Sequence, residues 1–401
     1  MTATVYTSLQ LDSPELLVDD LVRTLEGKKP GNALGFLLCD SQVDCDDVVS
    51  RLKQRLDFPV VGGTALSFPV SDGAGREISA SLAVIERDNL RFSIATSQTL
   101  DDTKSMEQMK EVYDRCLEQL GEKPRMLIPF FPLMPGVATD RFIQALFELA
   151  GDIPVFGGTT TNDLITTKAA VFADGKTLMN AMVLVMIGGD VRPVFAASNI
   201  ITPMTDYSPV VTQSVGNMLC RVDDMTFCDY MRTLGVAPED RVNGVDAMLQ
   251  YGPIPVAVES ADRPKDDVPE VRCISYTNVE KGCAAFSSAV PEGARVSVGV
   301  LTRGDVDESA KKCFSSLIGQ MKQGEKDGYV YSMVFCVSCV ARYFVLLGGE
   351  NSERRLLTEM NPSGTVASGF YAFCEIGPTT AQDDGRLLNR SHSASIVMCA
   401  L

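Results

Sequence analysis

Pro59-Val60-Val61-Gly62-Gly63-Thr64 and Pro154-Val155-Phe156-Gly157-Gly158-Thr159 are one phrase written twice, with the first glycines ninety-five residues apart. Each copy follows an apolar run and a helical pattern, and each precedes another apolar strand, so the duplicated unit is a whole supersecondary block. In the first block, Ala33 to Cys39 has strand length, and Val48, Leu52 and Leu56 recur every four residues behind the acidic start Asp44 to Asp47. Ile78 to Ile85 and Leu90 to Thr96 then read as two strands joined by a hairpin turn at Asp88-Asn89. In the second block, Met126 to Phe131 is the strand, Phe142, Leu146 and Ala150 mark the helix face, and Asn180 to Ile187 with Val194 to Ala197 close the unit.

Ser13-Pro14-Glu15 predicts a helix N-terminus, with Leu17, Leu21 and Leu25 on one face before Gly27. A helix over Asp102 to Leu120, apolar at Met106, Met109, Tyr113, Cys116 and Leu120, ends at Gly121 and joins the two blocks. A weaker third echo runs from Met333 to Val340, through a helical segment, to Val366-Ala367-Ser368-Gly369-Phe370, and Ser393-Ala394-Ser395-Ile396 repeats Ser79-Ala80-Ser81-Leu82. The expected fold class is mixed α/β (α+β): two lobes of mixed sheet flanked by helices, with internally duplicated strand-helix-strand blocks at about 33–97 and 125–198. The lobe boundary is expected near residue 205, giving lobes 1–205 and 206–401, with an exposed polar loop at 259–268 that carries Asp262, Pro264, Lys265, Asp266 and Asp267.

Composition narrows the function classes. The chain has 401 residues, enough for two or three domains, and a net charge of -16, which leaves no basic surface for nucleic acid or anionic membrane. The amino terminus lacks the basic start and apolar stretch of an export signal, so the expected location is cytoplasmic. The twelve cysteines, scattered among apolar residues, then read mostly as reduced core thiols. The apolar stretch Val330 to Leu347 contains Arg342, so it predicts a strand running into a second apolar element rather than a membrane span.

Candidate chemistry is sparse. The glycine pairs either admit a ligand to the backbone or permit tight turns and close strand packing. Cys336-Val337-Ser338-Cys339 is a CxxC without a second pair to complete a zinc site. Arg342 and Glu375 each interrupt an apolar run: facing one cavity, they would hold the carboxylate and ammonium groups of a free amino acid, and otherwise they pair with each other. His392, the only histidine, is the candidate axial ligand should haem be bound. No metal site, paired carboxylates, nucleophile elbow or kinase signature is present, so nothing supports an enzyme.

Several stretches resemble the FIST sensory family. Pro154 to Asn162, Val215-Gly216-Asn217 through Leu219, and Asp224 to Gly235 with Asp229-Tyr230-Met231-Arg232 resemble its amino-terminal region. Ser338-Cys339-Val340-Ala341-Arg342, Gly369-Phe370-Tyr371, Glu375-Ile376-Gly377-Pro378 and Leu388-Asn389 resemble its carboxyl-terminal region. The resemblance implies a ligand-sensing module for amino acids or similar metabolites, often attached to kinase, cyclase or chemoreceptor output domains. No such domain and no F-box is read here, so the expected partner is a separate signalling protein such as a kinase or cyclase. Cys374 stands where the family commonly has glycine, and His392 where small polar residues are usual. The expected ligand pocket lies in the carboxyl-terminal lobe, with Arg342 and Glu375 as anchors, Cys339, Asn389 and Gly369 nearby, and Phe370 and Phe373 as walls. The expected cofactor is none; the alternatives are a haem-based nitric oxide sensor and an interaction scaffold without a small ligand.

Overall fold

The computed structural model describes residues 1–23, 25, 32–72, 75–134, 137–163, 168–242, 244–260, 264–266 and 268–401. Its fold is mixed α+β, and its centre is one four-stranded arrangement built three times. The first sheet orders Thr2–Ser8, Ala80–Glu86, Ala33–Asp40 and Val60–Ala65; the second Arg91–Thr96, Val183–Gly188, Met126–Pro132 and Gly157–Thr160; the third Val194–Ser198, Ile396–Ala400, Met333–Cys339 and Val366–Ala372. In every case the first two pairings are antiparallel and the last is parallel.

Each unit also carries two helices at the same points of the chain: Pro14–Val22 and Cys45–Arg55, Ser105–Leu120 and Thr139–Ala150, Arg303–Lys326 and Ser352–Met360. Strand Ala33–Asp40 shows why the apolar runs are nearly continuous. Leu34, Phe36 and Leu38 face a core shared by all three sheets, while Leu37 and Cys39 face helices of their own unit, so both faces are buried. Phe36 and Phe156 both meet Phe335, with ring centroids 5.8 and 5.9 Å apart, and Phe130 meets Phe370 at 6.2 Å, which ties the three sheets together.

The repeated glycines serve that packing. Gly62, Gly157 and Gly369 lie beside Leu37, Pro129 and Cys336 across the three parallel pairs, where an added Cβ would come within 1.8, 2.3 and 2.0 Å of the neighbour's carbonyl oxygen. Close strand packing, one of the two readings of the glycine pairs, accounts for them. The serine echo is displaced from the true repeat. Leu82 and Met398 occupy matching ladder positions opposite Leu37 and Cys336, which aligns Ser79 with Ser395, two residues on from Ser393.

The hairpin expected at Asp88-Asn89 does not form. Ala80–Glu86 stays in the first sheet, while Arg91–Thr96 crosses to the edge of the second and pairs with Val183–Gly188. Val194–Ser198 crosses likewise to the third sheet, and Glu375–Thr380 with Leu387–His392 extends the second. The sheets therefore interleave across residue 205. Glu375–Thr380, after the third four-strand arrangement, pairs with Gly157–Thr160 of the second, and Val171–Ala173, after the second, pairs with Val60–Ala65 of the first, which covers backbone groups that would otherwise be unpaired.

Between strand Val194–Ser198 and helix Arg303–Lys326 the third unit carries an insertion of two small sheets and two helices, Phe227–Thr233 and Gly244–Tyr251. It has its own core around Leu219, Phe227, Tyr230, Tyr251 and Phe286 and forms a cap. The polar loop in it is not a free linker where it is described. Asp266 bridges to Ala381, and its nearly buried carboxylate accepts from Thr379 Oγ1 at 2.8 Å and Arg390 Nε at 3.2 Å. Asp262 and Asp267, like Gly27, lie outside the described residues.

Two local readings at helix ends hold, while the first helix ends at Val22, short of Leu25. Ser13 Oγ accepts from Leu16 N, and Gly121 is left-handed with φ 71°. Met106, expected on the buried face of its helix, is exposed, and Val112 is buried there instead. Val330 to Leu347 contains strand Met333–Cys339 followed by helix Val340–Leu346. Among the described residues, no helix is long and apolar enough to cross a membrane.

Candidate functional site

A cavity of about 1100 Å³ opens where the parallel strands Met126–Pro132 and Gly157–Thr160 end, beneath the cap. The carboxyl ends of adjacent parallel strands are a recurrent place for a ligand, because chain and helix diverge there and leave a crevice. From the second unit come Leu133, Met134, Thr139, Asp140, Ile143, Thr159, Asn162 and Lys168; from the cap come Asn217, Met248, Ser275, Tyr276, Phe286 and Ser287; Phe373 and Cys374 complete the wall.

Hydrogen bonds fix the cap to the second and third units. Ala289 N donates to Asp140 Oδ2 at 3.3 Å, Ser287 and Ser393 hydroxyls meet at 2.7 Å, and Asn199 Nδ2 donates to Pro269 O at 3.0 Å. Within the cap, Asn217 Nδ2 donates to Phe286 O at 2.9 Å, and Phe286 N donates to Asn217 O at the same distance, so these two lining residues move as one.

Among the described residues, the charges of the lining are Asp140 and Lys168, one of each sign. Asp140 lies in the first turn of helix Thr139–Ala150, whose N-cap Ala138 has no side-chain cap, so the positive end of that helix also borders the cavity. Lys168 is exposed and has no ion pair among the described residues. The remaining surface is mostly apolar. Such a lining suits a small molecule with an apolar body and charged groups of both signs. Burial pushes the Cys374 thiol far up and keeps it protonated.

Of the residues expected to bind ligand, Phe373 is on the cavity wall. Arg342 and Glu375 do not face one another across a pocket and do not pair. Arg342 is fully buried with Glu353 at 2.7 Å and also donates to Ser309 Oγ, Val306 O and Ala394 O. Neither Arg342 nor Glu375 lines the cavity. Glu375 Oε2 accepts from Ser395 N at 3.4 Å, and burial first, then the neighbouring Cys339 thiol, push its carboxyl well above the ordinary range.

Asn389 holds the turn before Pro154: its Oδ1 accepts from Val155 N at 2.9 Å, and its Nδ2 donates to Gly151 O and Ile153 O. Phe370 is core, and Gly369 serves strand packing. Cys336 and Cys339 are three apart on one strand and so point to opposite faces: Cys336 lies near Cys313 and Glu353, and Cys339 lies near Cys273. His392 is buried and its Nε2 is 3.0 Å from Gly377 O. Ten cysteines are buried free thiols, as expected for most of them, but Cys220 and Cys283 form a disulfide across two cap strands. No cluster of described residues is arranged to hold a metal ion.

Sequence reasoning missed Asp140, Lys168, Tyr276 and Phe286. Thr159, Asn162 and Asn217 lie within stretches that carry the family resemblance, and these stretches were the available signal. The FIST N domain matches residues 33–225 and the FIST C domain matches residues 230–378. No curated protein matches the chain significantly. Among solved structures, the chain is similar to a cyanuric acid hydrolase described as evolutionary innovation by structural concatenation. That likeness has 9% identity, covers 67% of this chain and 84% of that chain, and has a TM-score of 0.26. It is also similar to cyanuric acid hydrolase from A. caulinodans, with 10% identity, 100% and 99% covered, and a TM-score of 0.36. These likenesses are too distant to carry chemistry over.

Proposed function

The chain belongs to the FIST family of small-ligand sensory domains, and from that premise we propose that it senses an amino acid or closely similar metabolite bound in the cavity beneath the cap. The observation that carries the reading is the presence of both Asp140 and Lys168 in the lining of one largely apolar cavity at the carboxyl ends of parallel strands. A carboxylate suits Lys168 and the positive helix end, and an ammonium group suits Asp140.

The proposal includes the output. The cap is joined to the second unit through the cavity wall, so a ligand that tightens the wall changes how the cap sits and passes the signal to a separate protein such as a kinase or cyclase. A cytoplasmic location belongs to the same reading.

Dye-based thermal shifts of the purified protein against the common L-amino acids and haemin test the proposal. Ligand at a hundred times its dissociation constant adds about 2.7 kcal/mol of stability, enough to see as a rise of several degrees. A selective rise with one amino-acid class supports the sensor. A response to haemin alone replaces it with a haem protein, and silence throughout leaves an interaction scaffold.

A further inference from the structure

We propose that the Thr159 hydroxyl reads the carboxylate of an apolar amino acid in the cavity, an inference that rests on the cavity being the ligand site. Thr159 is 2% exposed, lines the cavity, and its Oγ1 has no hydrogen-bond partner among the described residues. Buried hydroxyls are rarely left in that state. The orphan is the side chain alone, because Thr159 N donates to Cys374 O at 2.9 Å and Thr159 O accepts from Phe373 N at 3.1 Å.

The duplicated phrase supplies its own control. Thr64 ends the first copy as Thr159 ends the second, yet Thr64 Oγ1 accepts from Ala170 N at 2.9 Å and lies 3.4 Å from Ala170 O. The two threonines that follow are also engaged: Thr160 Oγ1 donates to Ala170 O at 3.1 Å, and Thr161 Oγ1 donates to Tyr371 O at 2.8 Å. A requirement of the fold would be met alike in both copies. Only in the second copy does the hydroxyl lack a partner, and there Thr159 and Lys168 both line the cavity. A carboxylate there accepts from hydroxyl and ammonium together, while Phe373, Phe286 and Met248 favour an apolar body.

Thr159→Val keeps the shape and removes the hydroxyl; Thr159→Ser keeps the hydroxyl. Free of ligand, Thr159→Val should melt at or above the wild-type temperature, because nothing in the protein bonds to the lost group. Its affinity for L-leucine and L-phenylalanine, measured by calorimetry, should fall about ten- to a hundredfold, the usual range for a hydrogen bond to a charged group, and Thr159→Ser should restore it. Leucinamide and phenylalaninamide should bind the wild type as weakly as the acids bind Thr159→Val. A fall of several degrees in the unliganded valine variant would make the hydroxyl structural and overturn the inference. Equal affinity of wild type and Thr159→Val for the acids would overturn it while leaving the cavity reading intact. Wild-type silence toward leucine and phenylalanine with a response to another amino acid removes this ligand class alone, and silence toward every amino acid removes the cavity reading as well.

Discussion

Arg342 and Glu353 form an ion pair 2.7 Å apart with neither side chain exposed, between helix Val340–Leu346 and helix Ser352–Met360 of the third unit. Ser338 Oγ donates to both Glu353 oxygens at 3.0 Å, so strand Met333–Cys339 joins the same network. The charge that breaks the longest apolar run is thus balanced within its own unit. Arg342→Ala strands a buried carboxylate, and about 3–5 kcal/mol of stability should be lost, as for other broken buried pairs. Chemical denaturation measures this, and an unchanged midpoint would contradict the structural assignment.

The strand glycines should tolerate no side chain. Alanine at Gly62, Gly157 or Gly369 drives a methyl group into a neighbouring carbonyl and should cost at least about 2 kcal/mol each, more than an ordinary overpacked methylene where the strands cannot part. Gly319 is the control. It is exposed within helix Arg303–Lys326 with open space around it, so Gly319→Ala should stabilise by about 0.5–1 kcal/mol. Four melting curves decide the matter.

Lys168 and Asp140 should act on ligand binding rather than on folding. Lys168→Ala should weaken a responding amino acid about tenfold with little change in unliganded stability, since the side chain is exposed and unpaired among the described residues. Asp140→Asn keeps the size and the acceptor for Ala289 N but removes the charge, and should weaken it similarly. Calorimetry showing no loss in either variant would place the ligand elsewhere.

Glu375 should make stability depend on pH. Its ordinary value is 4.5, and burial raises it well above that in the folded protein, so the folded state holds the proton more tightly than the unfolded chain. Its favourable contribution is fully present below pH 4.5 and declines as pH rises through the folded value. Glu375→Gln, which mimics the protonated form, should match wild type in acid and exceed it at neutral pH. Parallel stability curves for the two proteins would show that the carboxyl does not titrate in this way.

The cap disulfide should be chemically visible. Alkylation of the denatured, unreduced protein should label ten cysteines, and twelve after reduction. Cys220 and Cys283 are separated by 63 residues, so loop entropy assigns the crosslink about 4 kcal/mol. Twelve labels without reductant would mean that the pair is not bonded under the conditions of purification.

Much of the architecture was legible in the letters. The phrases at Gly62 and Gly157, the apolar strands before them and the capped helices are local patterns, set by backbone sterics, residue propensity and the spacing of apolar side chains. The third echo at Gly369 was visible because the same contact with a neighbouring carbonyl demands the same residue. The hairpin at Asp88-Asn89 was misread for an equally physical reason. A turn signal says that the chain bends, but which sheet receives the next strand depends on partners distant in sequence: Arg91–Thr96 pairs with Val183–Gly188.

The site followed the same division. Sequence identified Arg342 and Glu375 as buried charges needing an explanation, yet the partner of Arg342 is Glu353, eleven residues away on the next helix, a pairing that helix packing decides. It presented Thr64 and Thr159 as equivalent, and by local rules they are. Only the tertiary structure separates them, because Ala170 bonds the first hydroxyl while the second, in a residue of the cavity wall, has no partner among the described residues. Sequence by itself determined the central strands, helices and glycine positions of each copy, since those depend on neighbours along the chain or on identical packing in each copy. Tertiary structure decided the exchange of edge strands, the ion pairs and the cavity, because each joins groups far apart in sequence, and there the free energy of burial rather than local propensity sets the outcome.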